Sequence, residues 1–220
     1  MTIDIHAFIF DLDGVITDTA EFHYLAWKRL ADEEGIPFTR QDNEALRGVS
    51  RRESLDRLLK GRSIDEATAQ AWMQRKNDYY IASLNDITLA NVLPGALNLL
   101  DEARRAGIRI GLASASKNAQ FVLEKLSIID RFDAIGDGYS VVNTKPAPDL
   151  FIWTAGRLDV SPPQAVIFED SEAGIAAALT GGFWTVGIGH ASVDKAHVLL
   201  PDLSEARAAA ILAALRTTSE

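Results

Sequence analysis

The spacing of apolar positions changes period along this chain. Residues 7–10, Ala-Phe-Ile-Phe, are apolar without alternation, as expected of a parallel strand covered on both faces. From about 20 to 85 the spacing becomes helical. Phe22, Leu25, Ala26 and Leu30 recur on one face, and Gly35 with Pro37 supplies a stop. Ser50 with Glu53, and Ser63 with Glu66, each fit a capping box that opens a further helix. Beyond Val92 helix and strand alternate: Pro94 and Gly95 open a helix that ends near Gly107, and strands follow at IRIGLA (108–113), AVIF (165–168) and WTVGI (184–188). A final amphipathic helix carries Ile211, Leu212 and Leu215.

Alternating helix and strand predict βαβ units and a parallel sheet. The expected fold is α/β: a Rossmann-like parallel core from residues 1–18 and 90–220, with a small helical-bundle cap, 19–89, inserted after the first strand. The segments near 15–20 and 85–92 would then be hinges for a cap that opens and closes. A fixed helical decoration is the alternative. Neither an internal repeat nor a low-complexity segment occurs.

Composition narrows the function. The 220 residues are 47% hydrophobic and 24% charged, an ordinary globular balance. No cysteine is present, which excludes disulfides, thiolate metal sites and a cysteine nucleophile and suits a reducing cytoplasm. The start, MTIDIHAF, lacks the basic and apolar regions of a secretory leader, so a cytoplasmic location is expected. The uncharged stretch 173–189 is broken by Gly181 and Gly182 and is expected not to span a membrane. A net charge of −9 opposes nucleic acid and anionic membrane as partners. A small anionic substrate remains compatible if a few cations and backbone donors collect locally.

Four segments supply such chemistry. Asp11 and Asp13 follow the first strand, with Gly14 releasing the chain, so both carboxylates fall at a strand's carboxyl end, where open α/β sheets bind ligands. Ser114 follows the strand that ends at Ala113, and small residues there let backbone N–H groups approach an anion. Lys145 precedes Pro146, a plausible first helical residue; a lysine at a helix N-terminus is unfavourable unless an anion sits there. Glu169 and Asp170 follow a second apolar strand and precede a helix near Ala173, which Asp170 or Ser171 could cap. The mutual repulsion of these carboxylates is relieved by a hard divalent cation, and Mg²⁺ fits an oxygen donor set.

In this order the segments resemble the haloacid dehalogenase superfamily of phosphotransferases and, within it, the β-phosphoglucomutase family, through FDLDGVITDT, RGVSRRESL, LASASKN, KPAPD and EDSEAGI. The resemblance spans the whole chain. It implies that Asp11 is the nucleophile that becomes an aspartyl phosphate and Asp13 the general acid/base. Ser114, Ala115 and Lys145 would hold the transferring phosphate, and Mg²⁺ would be bound by Asp11, Glu169, Asp170 and the backbone carbonyl of Asp13. From the cap side Thr19, His23, Trp27, Gly48, Arg51, Ser54 and Lys76 would contact the sugar phosphate or Asp13. Ser116, Lys117 and Asn118 would hold a second phosphate on the core side.

Two anion sites suit a mutase acting through β-glucose 1,6-bisphosphate, which must bind in two orientations. The resemblance thus implies a monomeric enzyme acting on small sugar phosphates. A sugar-phosphate phosphatase with the same nucleophile is the alternative, and a non-catalytic phosphosugar-binding module a more distant one. Arg47 stands where these families carry lysine before Gly-Val-Ser, which keeps the charge but alters the geometry.

Overall fold

A computed structural model describes residues 4–189 and 193–218; residues 1–3, 190–192 and 219–220 of the expected core lie outside them. Among the described residues six parallel strands form one sheet in the order β3-β2-β1-β4-β5-β6. They are β1 (Ala7–Phe10), β2 (Arg109–Ala113), β3 (Ala134–Gly136), β4 (Ala165–Glu169), β5 (Trp184–Ile188) and β6 (Val198–Leu200). The chain leaves β1 towards β2 and β3, then crosses back to β4. A crevice at the strands' carboxyl ends is expected at that reversal.

The unbroken apolar run of β1 is explained by its two covered faces. Phe8 and Phe10 belong to one hydrophobic cluster, Ala7 and Ile9 to another on the opposite face. Phe10 stacks on Phe168 of the neighbouring strand at 4.4 Å between ring centroids. Full burial of each of these phenylalanines is worth about 1.5–3 kcal/mol, so the strand that presents the aspartates is anchored in the hydrophobic core.

The helical segment contains α1 (Ala20–Glu33), α2 (Arg40–Glu44), α3 (Arg51–Leu59) and α4 (Glu66–Ser83). A third hydrophobic cluster, from Trp27 to Met73, lies wholly within it. The α1 stripe is Ala26, Trp27, Leu30 and Ala31. Leu25 falls one step off this stripe and is 50% exposed, against the expectation that it shares the apolar face. Ser50 caps α3 by accepting from the Glu53 N–H, but the Glu53 carboxylate pairs with Arg57 instead of closing the box. Ser63 caps nothing here: Asp65 is the cap of α4 and accepts from Thr68. Aspartate is as strong a cap as serine, and it lies immediately before the first helical residue.

The two linkers run side by side. Leu93 donates its N–H to the carbonyl of Ile16 at 2.8 Å, and the Thr17 hydroxyl donates to the carbonyl of Asn91 at 2.7 Å. The remaining helices are α5 (Ala96–Arg105), α6 (Ala119–Lys125), α7 (Asp149–Arg157), α8 (Glu172–Thr180) and α9 (Ala208–Thr218). Ile211 and Leu215 of α9 are buried as the sequence predicts. One start differs. Pro146 is not the first helical residue: residues 144–147 form a turn, Pro148 is the cap, and α7 begins at Asp149. Either proline can precede a helix, and the turn uses the first. Among the described residues no helix is long and apolar enough to cross a membrane.

Candidate active site

Three adjacent strands deliver the acidic and hydroxyl groups to one place. Asp11 extends β1 by one ladder bond, donating its N–H to the carbonyl of Phe168. Gly14 then turns the chain with φ +85°, and a Cβ there would lie 2.0 Å from an Asp170 carboxylate oxygen. Only glycine permits both the turn and the approach. Ser114 emerges from β2, with its N–H on the carbonyl of Gly136 and 2% of its surface exposed. Glu169 ends β4, and Ser171 caps α8 by accepting from the Gly174 N–H while donating to Glu169 Oε1 at 2.5 Å.

Oxygens of Asp11, Glu169 and Asp170 lie within 4.8 Å of one another, all three residues buried. Burial, then the Glu169 charge, pushes the Asp11 pKa well above the usual carboxylate range, with Lys145 acting in the opposite direction. Burial and Glu169 push Asp170 up to about 7, against the pull of Arg47. The two neighbouring cations therefore fall short of compensating the cluster. An oxygen-only set with surplus negative charge fits a hard divalent cation of the Mg²⁺ kind.

Lys145 lies beneath this cluster, fully buried, with Nζ 2.5 Å from Asp11 Oδ1 and 2.8 Å from Glu169 Oε2. Burial acts to lower its pKa, but Asp11 and Glu169 more than offset this and raise it, so it stays charged. It stands four residues before α7, so these partners, rather than a helix terminus, decide its environment. A surface ion pair is worth about 0–1 kcal/mol, whereas breaking a buried pair costs about 3–5 kcal/mol. Lys145 consequently supports the architecture of the site as well as its charge.

Asp13 turns away from this cluster. Its Oδ1 accepts from the Thr19 hydroxyl, and its Oδ2 lies 3.9 Å from His23 Nε2. Burial raises its pKa, opposed by the Thr19 hydrogen bond. The two aspartates therefore occupy distinct surroundings, one among carboxylates and a lysine, the other among hydroxyl and imidazole groups.

The helical segment covers the opening. Asp11, Asp13, His23, Trp27, Gly48, Arg51, Ser54, Lys76, Ser114, Ala115, Ser116, Lys117 and Asp170 all line one cavity. Lys76 Nζ is 2.8 Å from His23 Nδ1 and 4.9 Å from the Trp27 ring centre. Burial, then Arg51, holds its pKa well below the ordinary lysine value, and burial with Lys76 and Arg51 does the same to His23. Thr19, Asn118, Lys145 and Glu169 stand behind the wall, bonded to residues that form it or to the groups beside them. Hydroxyls shape the 114–118 loop: the Ser116 N–H donates to Ser114 Oγ, and the Asn118 N–H to Ser116 Oγ.

Several contacts of the site, and the contributors Asn77, Asn43, Leu46 and Val49, escaped the sequence reading. Asn77 Oδ1 accepts from both Arg51 of α3 and Asn118 of the core, at 2.8 Å each, and no local pattern announces a contact across 41 residues. Arg47 donates to Asp170 Oδ2 at 2.8 Å. Its neighbour Gly48, at φ +71°, passes so close to the core that a Cβ would meet Ser171 Oγ at 2.4 Å. Asn43, Leu46 and Val49 also line the cavity. The adjacency of Arg47 to a glycine in RGVS was the one available signal.

Comparison with known proteins agrees with this geometry. The chain is 46% identical over 187 residues to a β-phosphoglucomutase of Bacillus subtilis, covering 83% of each. It is 29% identical over 191 residues to a phosphorylated carbohydrates phosphatase of Thermotoga maritima, covering 86% of this chain and 87% of that one. The crystal structure of a β-phosphoglucomutase from Clostridium difficile superposes with a TM-score of 0.94 at 40% identity, over 97% of this chain and 98% of that one. The family model for haloacid dehalogenase-like hydrolases matches residues 5–182. By that match and by these identities, the chain belongs to the haloacid dehalogenase-like hydrolase family.

Proposed function

We propose that this chain is a β-phosphoglucomutase, interconverting β-glucose 1-phosphate and glucose 6-phosphate through β-glucose 1,6-bisphosphate and a phosphorylated Asp11. The observation that carries this reading is the meeting of Arg51 from the helical segment with the 116–118 loop of the core through Asn77. It gives the cavity a second group of anion-binding donors, apart from those around Asp11. A mutase needs both, since its bisphosphate binds in either orientation. The relative with the higher identity is likewise a mutase and the phosphatase relative is more distant.

The roles are those that the family resemblance implies, and the shared cavity of Asp11, Asp13, Arg51 and Ser114 supports them. An Asp11 carboxylate oxygen attacks phosphorus while the bond from phosphorus to the sugar oxygen breaks. Asp13 gives its proton to that departing oxygen. In the return step Asp13 takes the proton of a sugar hydroxyl as that oxygen attacks the aspartyl phosphate. Ser114, the backbone at Ala115 and Lys145 hold the transferring phosphoryl group, while Arg51, Ser116, Lys117 and Asn118 hold the other. Thr19, His23 and Lys76 orient Asp13 and the sugar, with Trp27, Gly48 and Ser54 shaping the cap wall.

Asp11, Glu169, Asp170 and the Asp13 carbonyl would hold Mg²⁺, which supplies positive charge to the equatorial phosphoryl oxygens. Residues 19–89 act as a cap hinged at 15–20 and 85–92, a division supported by the separate apolar cluster between Trp27 and Met73. A cytoplasmic monomer suffices for this chemistry: every group named comes from one chain and none is a cysteine.

Two experiments test this assignment. Excess chelator should abolish turnover and Mg²⁺ restore it, with Ca²⁺ a poor substitute because its coordination is longer and looser; full activity in chelator removes the metal. Arg51→Ala should lose the planar donor fork that clamps phosphate. Supplied with β-glucose 1-phosphate and a trace of the bisphosphate, the variant should form much less glucose 6-phosphate than wild type; equal formation would take Arg51 out of the second phosphate site.

A further inference from the structure

Tyr80 belongs to α4 and is fully buried, and neither residue type nor spacing marks it as part of the site. Its hydroxyl donates to Thr19 Oγ1 at 3.1 Å, and Thr19 in turn donates to Asp13 Oδ1. With Asp13 ionised, the direction of this relay is forced. An ionised carboxylate only accepts, so the single Thr19 proton goes to Asp13 and the Thr19 oxygen must take its own hydrogen bond from Tyr80. The Tyr80 ring also stacks on the His23 imidazole, with centroids 4.0 Å apart and planes at 26°. His23 Nε2 faces the other Asp13 oxygen at 3.9 Å. Both sides of the Asp13 carboxylate thus rest on groups that rest on Tyr80.

We propose that Tyr80 is a positioning residue for Asp13: its hydroxyl, acting through Thr19, commits Oδ1 to accepting a hydrogen bond and leaves Oδ2 as the oxygen that exchanges the proton with the sugar. Burial raises the phenol pKa, so Tyr80 remains a donor throughout. This inference rests on Asp13 serving as acid/base in the proposed mutase.

Tyr80→Phe tests it, because the ring and its stacking remain while the hydroxyl goes. In the mutase assay kcat should fall roughly 3–10-fold, the worth of one hydrogen bond, with KM within about twofold of wild type. In a Thr19→Val background the same change should cost nothing further in kcat, since the relay is already cut. A loss confined to KM or thermal stability, or losses that multiply independently, would overturn the proposal. A second arm needs no turnover and so separates failure here from failure of the mutase reading: crystal structures of wild type and Tyr80→Phe. Asp13 should hold one rotamer in the first and leave it, or split between rotamers, in the second. An unchanged Asp13 in the variant overturns the assignment.

Discussion

Replacing Asp11 by Asn should reduce turnover by about 10⁴–10⁶-fold, on the scale seen when a covalent nucleophile is removed. The amide is close to isosteric, so the change tests chemistry rather than packing. It removes the attacking oxygen anion and one of the two carboxylates that hold Lys145, but the Glu169 partner and the ladder bond from Asp11 to Phe168 remain. The fold should therefore survive, as circular dichroism and a thermal melt would show. Transfer of labelled phosphate to the protein should disappear together with turnover. Substantial residual turnover in a preparation free of wild type would remove the covalent step at this residue.

Asp13→Asn should slow transfer to and from sugar hydroxyls by about 10²–10⁴-fold, the usual worth of a positioned acid/base. An amide can still accept from Thr19 at one end, so the local hydrogen bonding is largely preserved. What it cannot do is pass a proton at the other end. Burial raises the pKa of both carboxylates. This suits Asp13, which must carry a proton part of the time, whereas Asp11 has to meet phosphorus ionised and depends on Lys145, which acts in the opposite direction, and on the positive charge that Mg²⁺ would supply. The separation of the two side chains, one towards Lys145 and one towards Thr19, is the structural basis for those different roles. Single-turnover kinetics on the phosphorylated enzyme measure the step directly; an unchanged rate would exclude Asp13 from it.

What local sequence reveals here is what a strand end or a helix cap needs. The unbroken apolar runs before Asp11 and Glu169, and the small residues after Ala113, identified three sheet positions that prove to be neighbours at the carboxyl edge. Period alone could not find β3 and β6, three residues each, because so short a run carries no pattern. Lys145 was singled out for its place before a helix, whereas the anionic partners that the structure gives it are Asp11 and Glu169, 134 and 24 residues away in the chain. The long-range contacts made by the helical segment were the least legible. Arg47 with Asp170, Asn77 with Asn118, and Tyr80 with Thr19 join residues 123, 41 and 61 apart, and each depends on how the helices pack before it can exist. Gly48 shows the same limit: the resemblance placed it on the cap side of the substrate, but only the position of Ser171 explains why a side chain is excluded there.

In the proposed mutase, phosphate from Asp11 returns to sugar rather than passing to water. Purified wild-type protein should be given β-glucose 1-phosphate with Mg²⁺ and a trace of β-glucose 1,6-bisphosphate, and glucose 6-phosphate and inorganic phosphate followed together. Glucose 6-phosphate as the main product, with little phosphate released, is the predicted result; inorganic phosphate as the main product across a panel of sugar phosphates would contradict the mutase assignment and make the chain a phosphatase.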